Sequence, residues 1–506
     1  MFAADTLQGP PVDWLAISPL LILLGGTMVL LVVSALTPKW PKGLYAWFTV
    51  ATSVTAIVMC FFLWHRIDVD GTKTLVGGAI AFDHFALWMT ITICVAIALV
   101  ALATDSYLRR EDLDGPEVYA LYMLSAVGGV VMGASNDLIV MFLGLEILSI
   151  ALYVLAASNR RRSASQESGI KYFVLGGFSS AFFLYGIALL YGGVGSTNFT
   201  TIISSLNSTV ALDRKDGLVL AGVALLVVGL GFKTSSAPFH FWAPDVYQGA
   251  PTPITGFMAS AGKAAAFAAL LRVLVAALPN WRDDYRPVIW ALAILTLFVG
   301  AIMAVVQTDV KRMLAYSSIN HAGFMLVGVE AAAHLAGQPS PGTGMSSVLI
   351  YLLLYTVLVT GTFGVVGLVS RTGDGSTDLA SFRGLGRSRP ALALALTVLL
   401  LAQAGVPLTS GFVAKFGVIK AAVDVKSYWL AVLAMVSAVI AAFLYLRIMV
   451  SVWIADAESG DEAREQVRMP WTAIVGIVLS VGFTIAIGIA PGWLVDLSSS
   501  VTNLAR

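Results

Sequence analysis

The stretch G-F-K-T-S-S-A-P-F-H-F-W-A-P-D-V-Y-Q-G-A-P-T-P-I-T-G-F, Gly231 to Phe257, decides how this chain reads. Lys233 stands in an apolar run that starts near residue 217, and Pro238 interrupts the same run five residues later. Proline removes a backbone donor and clashes with the preceding turn. A charge at bilayer depth costs a few kcal/mol or more. Lipid has no way to satisfy the freed carbonyls, so protein or water must do it. A helix that carries both features is expected in a bundle interior, next to a cavity or an ion path.

Working outward, the whole chain has the composition such a helix needs. Of 506 residues, 58% are hydrophobic and 12% charged, and mean hydropathy is +0.87. An ordinary soluble domain carries about 25% charged residues, so water is not the main solvent here. A net charge of +1 gives no electrostatic case for nucleic acid as a partner. The two cysteines, Cys60 and Cys94, both lie in apolar runs and supply no metal-spaced cluster or disulfide framework. Iron–sulfur chemistry is therefore not expected on this chain. Phosphate-binding glycine loops are absent as well. The first 16 residues are acidic and contain proline, unlike a signal peptide, so the first apolar run is expected to be a retained span.

A span needs about 20 apolar residues. Such runs lie near 17–36, 44–64, 79–104, 117–134, 137–157, 168–192, 217–243, 253–277, 286–306, 310–330, 346–370, 391–422, 428–454 and 471–490. The fold class is thus all-α: a polytopic membrane protein of about fourteen transmembrane helices. A second broken run, 391–422, is interrupted by G-V-P-L-T-S-G, with Pro407 at its centre. A short helix is expected from Thr200 to Leu206 in the polar 195–215 stretch.

Loops between alternate spans differ in charge. Odd-numbered loops hold fifteen Lys and Arg, among them Lys39, Arg109, Arg160, Lys311, Arg371, Arg464 and Arg468; even ones hold seven, among them Arg66, Arg214, Lys215 and Arg286. The positive-inside bias places odd loops in the cytoplasm and both termini outside. Shifting the chain by 172 residues brings Asp137, Met141 and Ile147 onto Asp309, Met313 and Ile319; at 169, Pro238 meets Pro407. Two five-helix units of opposite topology are expected, each with a broken helix. The division is 1–112 for an N-terminal three-helix region, 113–280 and 281–456 for the two repeats, and 457–506 for a C-terminal helix.

Glu146, Lys233, Lys263 and Lys415 sit deep in apolar runs. Nine residues from Asp137 to Glu146 rise about 13.5 Å, and ten from Pro253 to Lys263 about 15 Å, both near the middle of a ~30 Å core. Burial and an approaching opposite charge move Glu and Lys pKa values in opposing directions, so a Glu–Lys pair is switchable. Lysine releases a proton where arginine does not. A static ion pair explains one Glu and one Lys, and leaves two lysines without a partner in sequence. His321, eleven residues into its span, suits a proton relay, and His240, after Pro238, either a relay or a cap on the freed carbonyls. Lys171 opens its span, as an interfacial or a path residue. Arg272, Asp83 and His84 are expected at the interface.

The Gly231–Phe257 stretch also resembles the signature of antiporter-like membrane subunits. These belong to proton-pumping NADH:quinone oxidoreductase (respiratory complex I) and to Mrp-type cation/proton antiporters. Nearly the whole chain shares the likeness. The stretch A-G-V-P-L-T-S-G-F-V-A-K-F, Ala404 to Phe416, resembles the N-type member, whereas the M-type has Glu in place of Lys415. The long lateral helix of the L-type is not expected, since about 16 residues follow the last run. The resemblance matches Glu146 to the family's helix 5 glutamate and Lys233 to the lysine of broken helix 7. Lys263 matches the central helix 8 lysine, and Lys415 the lysine of broken helix 12. It also implies roles for Lys171 and His321. Thr234-Ser235-Ser236 departs toward polarity, where many relatives are more apolar.

The function this implies is a proton-translocating subunit of a translocase in the bacterial plasma membrane, with no redox chemistry of its own. Flavin mononucleotide and iron–sulfur clusters are expected in partner membrane and peripheral subunits, with none on this chain. The alternatives are an Mrp-type Na⁺/H⁺ antiporter subunit and a scaffold bundle without transport.

Overall fold

A computed structural model describes residues 12–37, 40–207, 216–338, 342–370, 372–375, 377–454, 469–502 and 504–505. Lys39, Arg214, Lys215, Arg371, Arg464 and Arg468, which weigh in the loop charges, lie outside the described residues.

The helices are, in order, α1 Ser18–Leu36, α2 Leu44–Asp70, α3 His84–Arg110, α4 Glu117–Ala134, α5 Leu138–Ala156 and α6 Ser163–Val194. A short α7, Phe199–Asn207, precedes α8 Asp216–Thr234 and α9 Trp242–Gly249. One continuous helix, Thr252–Ala277, then contains α10 Thr252–Phe257 and α11 Lys263–Leu271. Two π-helical stretches lie in it, Met258–Gly262 and Arg272–Ala277. After it come α12 Arg282–Val305, α13 Val310–His334, α14 Gly344–Val369 and α15 Leu385–Ser388. The rest are α16 Pro390–Ala404, α17 Ser410–Asp424, α18 Tyr428–Trp453, α19 Trp471–Ile489 and α20 Gly492–Ser499.

Each of the fourteen expected spans is helical, and twelve helical segments among the described residues are long and apolar enough to cross a membrane. The other two have physical reasons to differ. One is split into α16 and α17. The other, α13, carries Lys311, Arg312 and Glu330 and is buried on nearly every side, so it need not be apolar. This is a multi-pass membrane protein. Its centre consists of α3, the Thr252–Ala277 helix, α13 and α14. In the most apolar windows of α3, Thr252–Ala277 and α14, 83, 94 and 89% of residues are buried, against 28% for α1. Exposed Met28, Val32, Phe61, Phe62, Val439 and Val478 mark the outer helices.

Three interfacial expectations are corrected. Residues 80–82 form a strand paired antiparallel with Lys73–Leu75, and the helix begins only at His84. The reason is Asp83, which caps α3 by accepting from the Ala86 N–H at 2.8 Å. Asp83 is fully buried and takes both arms of Arg272 at 2.7 Å each. Arg272 also donates to the Gly133 carbonyl at 2.9 Å. Neither residue snorkels: a bidentate pair offsets the cost of burial. His84 is buried too, beside Asp68.

The faint repeat has a structural counterpart. Asp137 caps α5, accepts from Thr197 Oγ1 at 2.8 Å, and the Leu138 N–H donates to the Thr197 carbonyl. Asp309 caps α13, accepts from Thr377 Oγ1 at 2.5 Å, and the Val310 N–H donates to the Thr377 carbonyl. The same aspartate–threonine clasp therefore opens both helices.

Candidate functional site

Both breaks are built by local chemistry. At the first, Thr234 Oγ1 donates back to the Leu230 carbonyl, Ser236 Oγ lies 2.7 Å from it, and the Ala237 N–H finds Thr296 Oγ1 at 2.9 Å. The polar Thr234-Ser235-Ser236 run thus supplies partners that an apolar sequence lacks. At the second, Gly405 ends α16 with φ +91°, and a Cβ there would stand 2.9 Å from Lys415 Cδ. Glycine is required on both counts. The expectation that the breaks lie wholly inside needs correction. Thr234 to Ala237 are buried, but Pro238 is exposed, as are Val406, Pro407 and Leu408. Each break runs from the core to the bundle's flank, because the ladder bonds freed at its inner end are met locally.

Lys233, at the end of α8, is buried and donates to Ser149 Oγ at 2.7 Å and Tyr153 OH at 3.3 Å. Both acceptors belong to α5, three and seven residues beyond Glu146. Its ammonium lies 5.2 Å from the Tyr153 ring centroid and 5.4 Å from that of Tyr172. Glu146 is half-buried, and its Oε1 is buried without a hydrogen-bond partner. No ion pair joins Glu146 and Lys233 among the described residues, so this structure holds them apart. Beyond Lys233 stands an aromatic layer. Tyr153 meets Tyr172 edge-on at 4.8 Å, Tyr172 stacks on Trp242 at 4.5 Å, and Trp242 meets Tyr247 at 6.0 Å.

Lys263 lies directly after the π-helical stretch Met258–Gly262, a feature common at functional sites. It is buried and donates to both the carbonyl and the hydroxyl of Ser318 on α13, each at 2.5 Å. One turn further along α13, His321 Nδ1 is 2.7 Å from Tyr351 OH and Nε2 is 3.2 Å from Tyr445 OH. Tyr445 OH lies 2.6 Å from Ser317 Oγ, which donates to Gln403 Oε1 at 3.4 Å. Gln403 adjoins Ala404, whose carbonyl accepts from Lys415 Nζ at 3.0 Å. Lys415 therefore caps the C-terminus of α16, where the helix dipole favours a cation. It also lies 4.8 Å from the Phe324 ring, one turn beyond His321. The structure thus gathers Lys263, His321 and Lys415 around α13, with a hydrogen-bonded run of hydroxyls from His321 to the amide of Gln403.

His240 does not join this chain. It is half-buried in the first break, with Nδ1 buried and unpartnered. Lys171 is partly exposed and pairs with Glu167 at 2.7 Å and Asp245 at 3.0 Å. It lines a polar cavity of about 280 Å³ with Arg162, Asp245, Gln248 and Thr377.

Beside that cavity lies a buried hub around Asp374. Its carboxylate takes Arg162 at 3.1 Å, Lys311 at 3.6 Å, Arg110 at 3.7 Å and the Thr252 hydroxyl at 2.8 Å. Burial alone would raise the Asp374 pKa; Lys311, Arg162, Thr252 and Arg110 hold it below the usual carboxylate range. Lys311, read from sequence as a loop charge, is fully buried, and it also donates to the Ala250 carbonyl at 2.6 Å. Its place in a run of positive charge at the start of a span hid it. Ser149, Ser317, Ser318, Gln403 and Tyr445 gave no sequence signal, since hydroxyls and amides are unremarkable one at a time.

The family model described as NADH:quinone oxidoreductase/Mrp antiporter, TM, matches residues 135–441. A Mycobacterium bovis protein named NADH-quinone oxidoreductase subunit N is 40% identical over 99% of this chain and its own full length. A chain of respiratory complex I from Thermus thermophilus, solved with bound aureothin, superposes with a TM-score of 0.75 at 30% identity. That match covers 95% of this chain and 99% of its own. A chain of the Mrp complex from Dietzia shares the fold, with a TM-score of 0.80 at 19% identity over 96% of both chains.

Proposed function

This chain belongs to the NADH:quinone oxidoreductase/Mrp antiporter family of transmembrane proteins, and we propose that it serves as subunit N of a bacterial proton-pumping NADH:quinone oxidoreductase. Electrons pass from NADH to quinone in partner subunits, which hold the flavin and iron–sulfur clusters, while this chain moves protons across the plasma membrane. The observation that carries this is the gathering of Lys263, His321 and Lys415 around α13: Ser318 holds Lys263 one turn from His321, and a hydrogen-bonded run leads from His321 through Tyr445 and Ser317 to Gln403, the neighbour of the residue whose carbonyl holds Lys415. The names of relatives at 40% identity favour complex I over an antiporter, for which the likeness is one of fold.

In this mechanism the cavity lined by Lys171 and Asp245 admits protons from the cytoplasm. Neutral Lys263 takes up a proton, and the ammonium that forms is held by the Ser318 carbonyl and hydroxyl. His321 lies between Lys263 and Lys415 and relays the proton through the hydroxyls of Tyr445 and Ser317. Glu146 influences the first half by approaching or leaving Lys233. In the arrangement seen here Lys233 rests on Ser149 and Tyr153, which leaves Glu146 Oε1 free to take another partner. The two repeats, 113–280 and 281–456, would each contribute one broken helix. Both chain ends face outward.

Lys263→Ala in the purified, reconstituted complex is expected to lower the number of protons pumped per NADH oxidised. An unchanged ratio in an assembled complex overturns the proposal.

A further inference from the structure

We propose that Glu330 is the outward proton-releasing group of this path, taking protons from Lys415; this rests on the function proposed above. Glu330 lies near the end of α13, the helix that meets Lys263 at Ser318 and Lys415 at Phe324. From Phe324 to Glu330 the helix rises about 9 Å toward the end opposite Lys311. Glu330 is 2% exposed. α13 continues past it to His334, and neighbouring helices enclose it.

The surroundings of Glu330 connect it to the Lys415 helix. Val418, three residues beyond Lys415, packs against Gly328. At the end of α17 the Ser427 N–H donates to the Ala422 carbonyl, and Ser427 Oγ donates to both carboxylate oxygens of Glu330 at 3.1 and 3.0 Å. α13 and α17 thus run side by side from Lys415 to Glu330. The far side of the carboxylate faces Arg286 at 3.7 Å, a side chain 30% exposed. His334, one turn on, is only half-buried and holds an unpartnered buried Nδ1. Glu330 therefore stands between the buried lysine and groups that reach the surface.

The step balances simply. An N–H bond of the Lys415 ammonium breaks and an O–H bond forms on Glu330, through intervening water, leaving neutral lysine and a carboxylic acid. The acid then gives its proton to water beside Arg286, which stays charged throughout. Ser427 holds the carboxyl in place in both forms, because a hydroxyl both donates and accepts.

The test compares E330Q, E330D and Lys263→Ala in the intact complex reconstituted in vesicles, with proton-to-electron ratio as readout and subunit co-purification as the check of assembly. E330Q keeps the Ser427 contact and is expected to fall to the ratio of the Lys263 variant. E330D keeps a titratable carboxyl and is expected to recover most of that loss. A wild-type ratio in E330Q alongside a lowered one in Lys263→Ala overturns the role of Glu330 and leaves the function standing. Wild-type ratios in both overturn the function itself. Equal losses in E330Q and E330D mark a packing effect and overturn the inference. Should E330Q fail to assemble, dicyclohexylcarbodiimide decides on the wild-type complex, since it modifies protonated carboxyls. An adduct on Glu330 during turnover is expected, and its absence overturns the proposal.

Discussion

Lys233 and Lys415 both stand beside a broken helix, and their surroundings differ. Lys233 is held by two hydroxyls of α5, then faced by an aromatic layer of Tyr153, Tyr172 and Trp242. Lys415 caps a half-helix at Ala404, and the preceding residue, Gln403, starts a hydrogen-bonded run back to His321, one turn from the Ser318 that holds Lys263. Protons can hop along hydroxyl, imidazole and amide groups, but not across stacked ring faces. On the proposed path the second half would relay protons through its side chains, whereas the first would need water to enter or Lys233 to move. The same aspartate–threonine clasp opens a helix in each half, so the difference lies in the linings and not in the scaffold.

The scaffold itself can be broken where both halves meet. Asp374→Asn leaves Lys311, Arg162 and Arg110 around a neutral amide, and removing one partner from a buried ion pair costs about 3–5 kcal/mol. Thermal unfolding of the purified complex should show a loss of that order. Acid should do the same. Because the folded pKa of Asp374 is depressed, its contribution is present above the ordinary carboxylate pKa and is lost as pH falls through the folded value. The loss should therefore appear only below about pH 3.9, and asparagine at 374 should abolish that part of the pH dependence.

The linings are compared most directly by removing one hydroxyl from each. Tyr445→Phe cuts the run between His321 and Ser317, and is expected to slow coupled proton transfer about tenfold, or ~1.4 kcal/mol. Tyr153→Phe takes one of the two acceptors of Lys233 and leaves the ring, so an effect under about twofold is expected. Equal effects, measured as pumping rate per NADH oxidised in vesicles, would erase the distinction between the halves. The second break is tested through its backbone. Gly405→Ala forces an L-residue to φ +91° and presses on Lys415, at about 1–2 kcal/mol of strain. Loss of pumping with normal assembly would place Lys415 where the structure has it.

Several features were legible because their cost is local. Span positions and the two Pro-centred breaks follow from rise per residue and from the donor that proline removes. Asp137 and Asp309 were legible as helix starts because capping involves only neighbouring residues. Lys311 was misplaced toward the surface for the converse reason. A charge at the end of an apolar run reads as interfacial unless the neighbouring helices are known to enclose it. Arg272 and Asp83 are 189 residues apart in sequence, and no spacing rule connects them.

The amino-acid sequence by itself determined an all-α membrane bundle with two broken helices and four deep ionisable groups. Each of these is the response of a short segment to its solvent. Tertiary structure alone decided that α13 is the common wall of Lys263, His321 and Lys415, that Lys233 sits behind aromatic rings, and that Glu330 is enclosed. In lipid, a helix face toward the bilayer and one toward the bundle are both apolar, so sequence periodicity does not say which way a side chain points. Only packing assigns the faces, and with them the partners that make a lysine part of a path.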